Sequence, residues 1–198
     1  MDPNDSEKVN MLVDNARQLA EELVRPLGRR WEHVQAVSER AAELGAGLRA
    51  ADRDDLVAAA WLHDIGYADE IAYTGFHPID GARYLWDYGW PERVINLVAH
   101  HSGARFEAEF RGMTETHAAY DFADTILDDM LAAADLTTGP GGQSFTFDQR
   151  MAEIRERYAP GDIVVATWRI AEPIMREAVT RALNHANGAH AEQPGFAG

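Results

Sequence analysis

The residues in this sequence best suited to chemistry are histidines and aspartates. Five of the eight histidines, His33, His63, His77, His100 and His101, fall in or beside segments with helical apolar spacing, and Asp64 directly follows His63. Neutral imidazole nitrogen and carboxylate oxygen together suit a divalent metal such as Fe, Mn, Co, Ni or Zn, and inward-facing His and Asp from several helices are how a helical domain builds such a site. The chain has no cysteine. That removes disulfides, zinc–thiolate sites, iron–sulfur clusters and a thiol nucleophile, so any metal must rest on His and carboxylate. Periodicity gives direction. His63 follows Ala60, Ala59 and Leu56 at the spacing of one helix face, His101 stands in the same relation to Val98, Leu97 and Val94, and Asp135 shares a face with Ala132 and Leu131. These three point inward, while His33 sits at the edge of its stripe, one turn before Val37. Neighbouring helical residues diverge by about 100°, so His100 and His101 cannot serve one point; the inward face favours His101, with His100 kept as a candidate.

Helices must hold these residues in place. Apolar spacing predicts them over 9–24, 31–48, 54–65, 77–88, 91–101, 119–136, 147–158 and 161–185; Pro26 closes the first and the last tolerates Pro173. No run alternates as a strand would. The expectation is a single all-α domain over residues 1–187, with its core at about 25–140, flanking N- and C-terminal helices, and a disordered tail over 188–198. Ser102 to His117 and Thr137 to Thr146, the latter containing a Gly-Pro-Gly-Gly turn, read as loops long enough to border a site.

Composition narrows the partners. A chain of 198 residues, 46% of them hydrophobic, has enough apolar material for one full core. A net charge of −15 repels a phosphate backbone, so no nucleic-acid polymer is expected as a partner. No stretch approaches the roughly 18 apolar residues of a membrane span. The first residues are acidic and polar where an export signal is basic and then apolar, so the expectation is a cytoplasmic protein with no membrane partner.

A lone His-Asp pair arises by chance in a chain with eight histidines; an ordered set is more specific. His33, then His63-Asp64-Ile65-Gly66, then His100-His101, then Asp135 in Ala-Ala-Ala-Asp-Leu-Thr-Thr-Gly, each on a separate expected helix, resembles the HD superfamily of metal-dependent phosphohydrolases. The pattern is H…HD…D with the HDIG variant, and it covers about residues 25 to 140. The resemblance implies a five-helix core that binds a divalent metal through His33, His63, Asp64 and Asp135. It also implies attack of metal-activated water on a small phosphoester such as a nucleotide, with Asp64 catalytic, orienting that water or bridging two ions. Two-metal members add histidines before the last Asp. His77, opening His-Pro-Ile-Asp-Gly-Ala-Arg-Tyr-Leu, and His100-His101 are similar to that extension, so the implied cofactor is one or two divalent ions. The His77 segment also resembles that of the HD-GYP cyclic dinucleotide phosphodiesterases, but no Gly-Tyr-Pro follows the His pair, and Tyr67 stands where a Lys is common. The same ligand order serves mixed-valent di-iron oxygenases of this scaffold, which cleave C–C or C–P bonds. A non-catalytic metal-binding sensor is a third reading, and the oligomeric state is open.

A phosphoester also calls for fixed positive charge. Arg29 and Arg30, one turn before His33, and Arg105, after His-His-Ser-Gly, are the substrate-binding candidates. Trp31, Trp61, Trp86 and Trp90 read as core aromatics, and His117, His185 and His190 as surface residues. Of the acidic run Asp121, Asp124, Asp128 and Asp129, only Asp128, seven before Asp135, could approach the site.

Overall fold

The computed structural model describes residues 3–191, with side chains described from 11 to 189. Helix α1 (Pro3–Val24) buries Ala16, Ala20, Leu23 and Val24 along one face. Pro26 then allows only a one-turn 3-10 helix (Arg25–Leu27), and Gly28, at φ +64, turns the chain into α2 (Arg29–Leu44). The buried face of α2 runs His33, Val34, Val37, Ser38, Ala41 and Leu44. Helix α3 (Ala50–Leu62) lies at the centre, against α1, α2, α5 (Glu92–His100) and α8 (Ile126–Leu136). Its Leu56, Ala58, Ala59, Ala60 and Leu62 are wholly buried, the three alanines letting neighbours approach closely.

The order is completed by α4 (His77–Asp87), which packs on α5, and by α6 (Ala104–Phe110), α7 (Thr114–His117), α9 (Phe147–Arg157) and α10 (Ile163–Ala191). Helix α10 lies along α8. Among the described residues there is no strand beyond an isolated bridge between Thr138 and Ser144, so the protein is all-α. No described helix is long and apolar enough to cross a membrane.

Several boundaries differ from expectation for physical reasons. Helix α8 begins at Ile126 instead of 119: Asp124 takes a left-handed φ of +51, and Thr125 caps the helix with Asp128. The Thr125 N–H donates to Asp128 Oδ2 at 2.8 Å while the Thr125 hydroxyl accepts from the Leu127 N–H, so Asp128 closes a capping box at the helix start and does not approach the site. The expected loop 102–117 contains α6 and α7, seven and four residues long, too short for periodicity to reveal. Residues 188–191 continue α10 instead of joining a tail, and 192–198 lie outside the described residues.

One crossing sets the position of the site. After α3 the chain makes a 3-10 turn over Ile65–Tyr67 and comes against the start of α4. A Cβ on Gly66 would sit 2.0 Å from the His77 carbonyl oxygen and 2.8 Å from the Gly81 nitrogen; only glycine permits the approach, which brings His77 beside Asp64. The buried Asp80 carboxylate reinforces it, accepting from the N–H groups of Thr74 (2.9 Å) and Gly75 (3.1 Å) in the turn that leads into His77.

Candidate metal centre

Five helical elements deliver six ligand-type side chains to one place. His33 comes from α2, His63 and Asp64 from the end of α3, His77 from the first residue of α4, His101 from just past α5, and Asp135 from the last turn of α8. Three of the imidazoles are held from behind by backbone carbonyls: His33 Nδ1 by Gly139 (3.0 Å), His63 Nδ1 by Ala60 (2.7 Å) and His101 Nδ1 by Val98 (2.6 Å). A carbonyl only accepts, so each Nδ1 carries the proton and each Nε2 turns a lone pair inward.

The inward atoms converge. His63 Nε2 is buried with no hydrogen-bond partner. His77 Nε2 and His101 Nε2 are 3.1 Å apart, and His33 Nε2 is 3.0 Å from Asp135 Oδ1. Lone pairs facing one another, or facing a carboxylate, in a water-poor interior repel unless a cation stands among them. Two sets of ligand atoms lie within 4.8 Å of one another: His33, His63 and Asp64, and Asp64, His77 and His101. Asp64 belongs to both, its Oδ1 lying 3.6 Å from His63 Nε2 and 3.4 Å from His77 Nε2. This donor set fits one or two divalent ions.

The electrostatics agree with that reading. Burial alone would push the Asp64 and Asp135 carboxyls up. The Arg30 guanidinium holds Asp64 far below the usual carboxylate range, and His33, 3.0 Å away, keeps Asp135 low as well. Burial lowers His77 and His101, keeping both as neutral donors. Burial disfavours charge on His33 as well, but Asp135 outweighs it and raises that imidazole.

Neighbouring groups hold the ligands in register. Arg30 Nη1 donates to Asp64 Oδ2 at 2.6 Å. Its guanidinium lies 3.5 Å above the Tyr67 ring, and that ring also stacks on His77 at 4.0 Å between centroids. Ser102 adopts φ +49 and Gly103 φ +78, a pair of left-handed residues that reverses the chain after His101 and brings the Ser102 hydroxyl to donate to Asp135 Oδ2. For a serine that conformation costs on the order of 1 kcal/mol.

The centre opens into a cavity of about 790 Å³. Of the residues singled out in the sequence, His33, Asp64, His77, His101, Asp135, Arg29 and Arg30 line it, with His63 wholly buried just beneath. His100 and Arg105 stand apart. The His100 Nε2–H donates to the Tyr120 carbonyl at 2.9 Å, and its ring packs against His117 and Phe122. Arg105 lies over Phe122 at 4.3 Å and Phe106 at 4.8 Å. His117 is only 4% exposed, correcting the expectation of a surface residue; its Nε2–H donates to the Ala99 carbonyl at 2.9 Å.

Sequence reasoning missed Tyr67, Ser102, Arg111, Arg150, Arg157, Thr167 and Trp168, all of which line the cavity. One signal was present: Arg150 sits three residues after Phe147 and four before Ile154, on the apolar face of α9, where a solvated arginine does not belong.

Comparison with the curated proteins and with the solved structures gives no match. A family model described as the HD domain matches residues 30–138. That segment takes in all six converging side chains and stops short of α9 and α10. With more than half of the 198 residues matched and the His-Asp cluster inside the match, the chain belongs to the HD-domain family.

Proposed function

We propose that the protein is a metal-dependent phosphohydrolase acting on a small phosphoester such as a nucleotide. The observation that carries this reading is the pair of ligand groups sharing Asp64, opening into a cavity lined by arginines. One ion would rest on His33, His63, Asp64 and Asp135, and a second on Asp64, His77 and His101. Bound there, divalent ions supply water activation near neutral pH and neutralisation of phosphoryl charge.

The chain's own residues do the positioning. Asp64 faces both ligand groups through Oδ1 while Arg30 holds Oδ2, so the carboxylate cannot rotate out of the centre. Arg29 and Arg30 present planar donors to phosphate oxygens, and the partial burial of Arg30 strengthens its contacts relative to open water. The cavity is large enough to enclose most of a nucleotide-sized ligand.

The test combines metal analysis of protein purified without chelator with an anaerobic panel of nucleotides, cyclic nucleotides and simple phosphate esters, with Mn, Co, Ni or Fe(II) added. Release of phosphate or nucleoside without oxygen is the expected result. Oxygen uptake with an organophosphonate or a polyol, and no ester cleaved, replaces this reading with the di-iron oxygenase. Stoichiometric metal with neither reaction leaves the sensor.

A further inference from the structure

The wall of the cavity built by α9 and α10 lies outside the matched HD segment, and it carries polar groups the metal centre does not use. Arg150 lines the cavity yet is only 9% exposed. Its Nη1 donates to Glu153 Oε2 at 2.6 Å, and its Nε is buried without a partner. Arg157 Nε donates to the other oxygen of Glu153 at 2.7 Å, so two guanidiniums share one carboxylate.

Thr167 adds a second unmet donor. A threonine inside a helix ordinarily donates back to the carbonyl four residues earlier, as Thr180 does here and as Thr137 and Thr138 do just past the end of α8. Thr167 is 3% exposed and lines the same cavity, but its Oγ1 has no partner. Buried donors left unmet cost about as much as the bonds they forgo. Such a position is accounted for where a ligand completes it. A guanidinium offers only donors and the threonine hydroxyl has a free proton, so the complementary ligand is an acceptor-rich anion.

Arg150 and Thr167 line the same cavity as His33, Asp64, His77, His101 and Asp135.

We infer that Arg150 and Thr167 form an oxyanion subsite, supplied by helices outside the HD core, that holds phosphoryl oxygens of the substrate. The identity of the anion as phosphoryl rests on the phosphoester reading above. In this arrangement the matched segment supplies the ligands and the C-terminal helices add to the grip of Arg29 and Arg30 on the substrate, so exchanging α9 and α10 would change what is bound without changing the centre.

The experiment measures binding of inorganic phosphate to the manganese-loaded full chain by calorimetry, with manganese content determined on the same samples. Arg150→Gln should weaken phosphate binding about tenfold or more with metal content unchanged. Arg150→Lys should recover part of the loss, since it keeps the charge and loses the fork. Thr167→Val, nearly isosteric and the informative variant if Arg150→Gln does not fold, should weaken phosphate several-fold, with Thr167→Ser restoring it. Wild-type phosphate affinity in metal-loaded Arg150→Gln and Thr167→Val overturns the subsite. Loss of manganese from Arg150→Gln also overturns it, because Arg150 then supports Asp135 instead of an anion. Phosphate binding that depends on Arg150, in a protein that cleaves no ester, leaves the subsite standing and overturns the hydrolase.

Discussion

Two groups of histidines meet at the C-terminal end of α5, and adjacent residues feed them. His101 joins His33, His63 and His77 around Asp64 and Asp135; His100 joins His117 and Phe122. In the first group three Nδ1 atoms are held by backbone carbonyls, and the Nε2 lone pairs gather with two carboxylates. In the second the order is reversed. Both Nε2–H groups donate to carbonyls, of Tyr120 and Ala99, the rings meet edge to face at 4.3 Å, and neither imidazole has a carboxylate hydrogen-bond partner. Burial lowers both of these imidazoles, His117 to about 4. The difference teaches that a cluster of buried histidines is not in itself a metal centre. What makes one is the assignment of the proton to the outer nitrogen, which aims the lone pairs, together with carboxylates among them.

The sharpest break between the groups is in metal content. Asp64→Ala removes the ligand common to both triads and should strip both ions, with activity falling at least a hundredfold; His101→Ala should lose one ion, and His100→Ala none. Metal analysis of the three variants decides it, and equal losses from His100→Ala and His101→Ala would erase the distinction. Gly66→Ala attacks the first group through the backbone. Its Cβ would meet the His77 carbonyl at 2.0 Å, so we expect about 3 kcal/mol of destabilisation by denaturant unfolding and loss of the ion held by His77.

Acid should probe the second group. The unfolded chain protonates a histidine near pH 6.5, whereas folded His117 stays neutral down to about pH 4. Between those values the unfolded state binds more protons. The contribution of His117 is therefore complete above about pH 6.5 and is lost as the pH falls toward 4, by up to about 3 kcal/mol. In a pH series of unfolding curves, His117→Phe should flatten this component relative to wild type, and parallel curves would show that His117 does not carry it. The smallest effect belongs to Arg105. Lying over Phe122 and away from the cavity, Arg105→Ala should change stability by no more than about 0.5 kcal/mol and leave KM unchanged; a raised KM would return it to the substrate.

The centre was more legible in the sequence than its surroundings. His63, His101 and Asp135 read as inward because each ends a regular apolar stripe, and such stripes report direction reliably. Arg105 could not be placed this way, because Ser102 and Gly103 reverse the chain just before it with a left-handed turn that no periodicity encodes. His117 read as a surface residue for a related reason: α7 has four residues, less than one full period of evidence beyond its own turn. The start of α8 was written locally, in Thr125 followed three residues later by Asp128, but the acidic residues before it extended the apparent helix. Arg150 and Thr167 depend on α9 and α10 folding back over the centre, a tertiary fact, and only the odd position of Arg150 on an apolar face hinted at it.

The two ligand groups also differ in how far the chain must travel to form them. His77 and His101 are 24 residues apart and come from successive helices, while the Gly139 carbonyl that orients His33 is 106 residues away. Loop-closure entropy makes the longer closure more costly by about 1 kcal/mol. In kinetic terms, the Asp64, His77 and His101 side can assemble from neighbours, and the His33 and Asp135 side closes only when α8 docks, so the docking of α8 is the step that completes the centre.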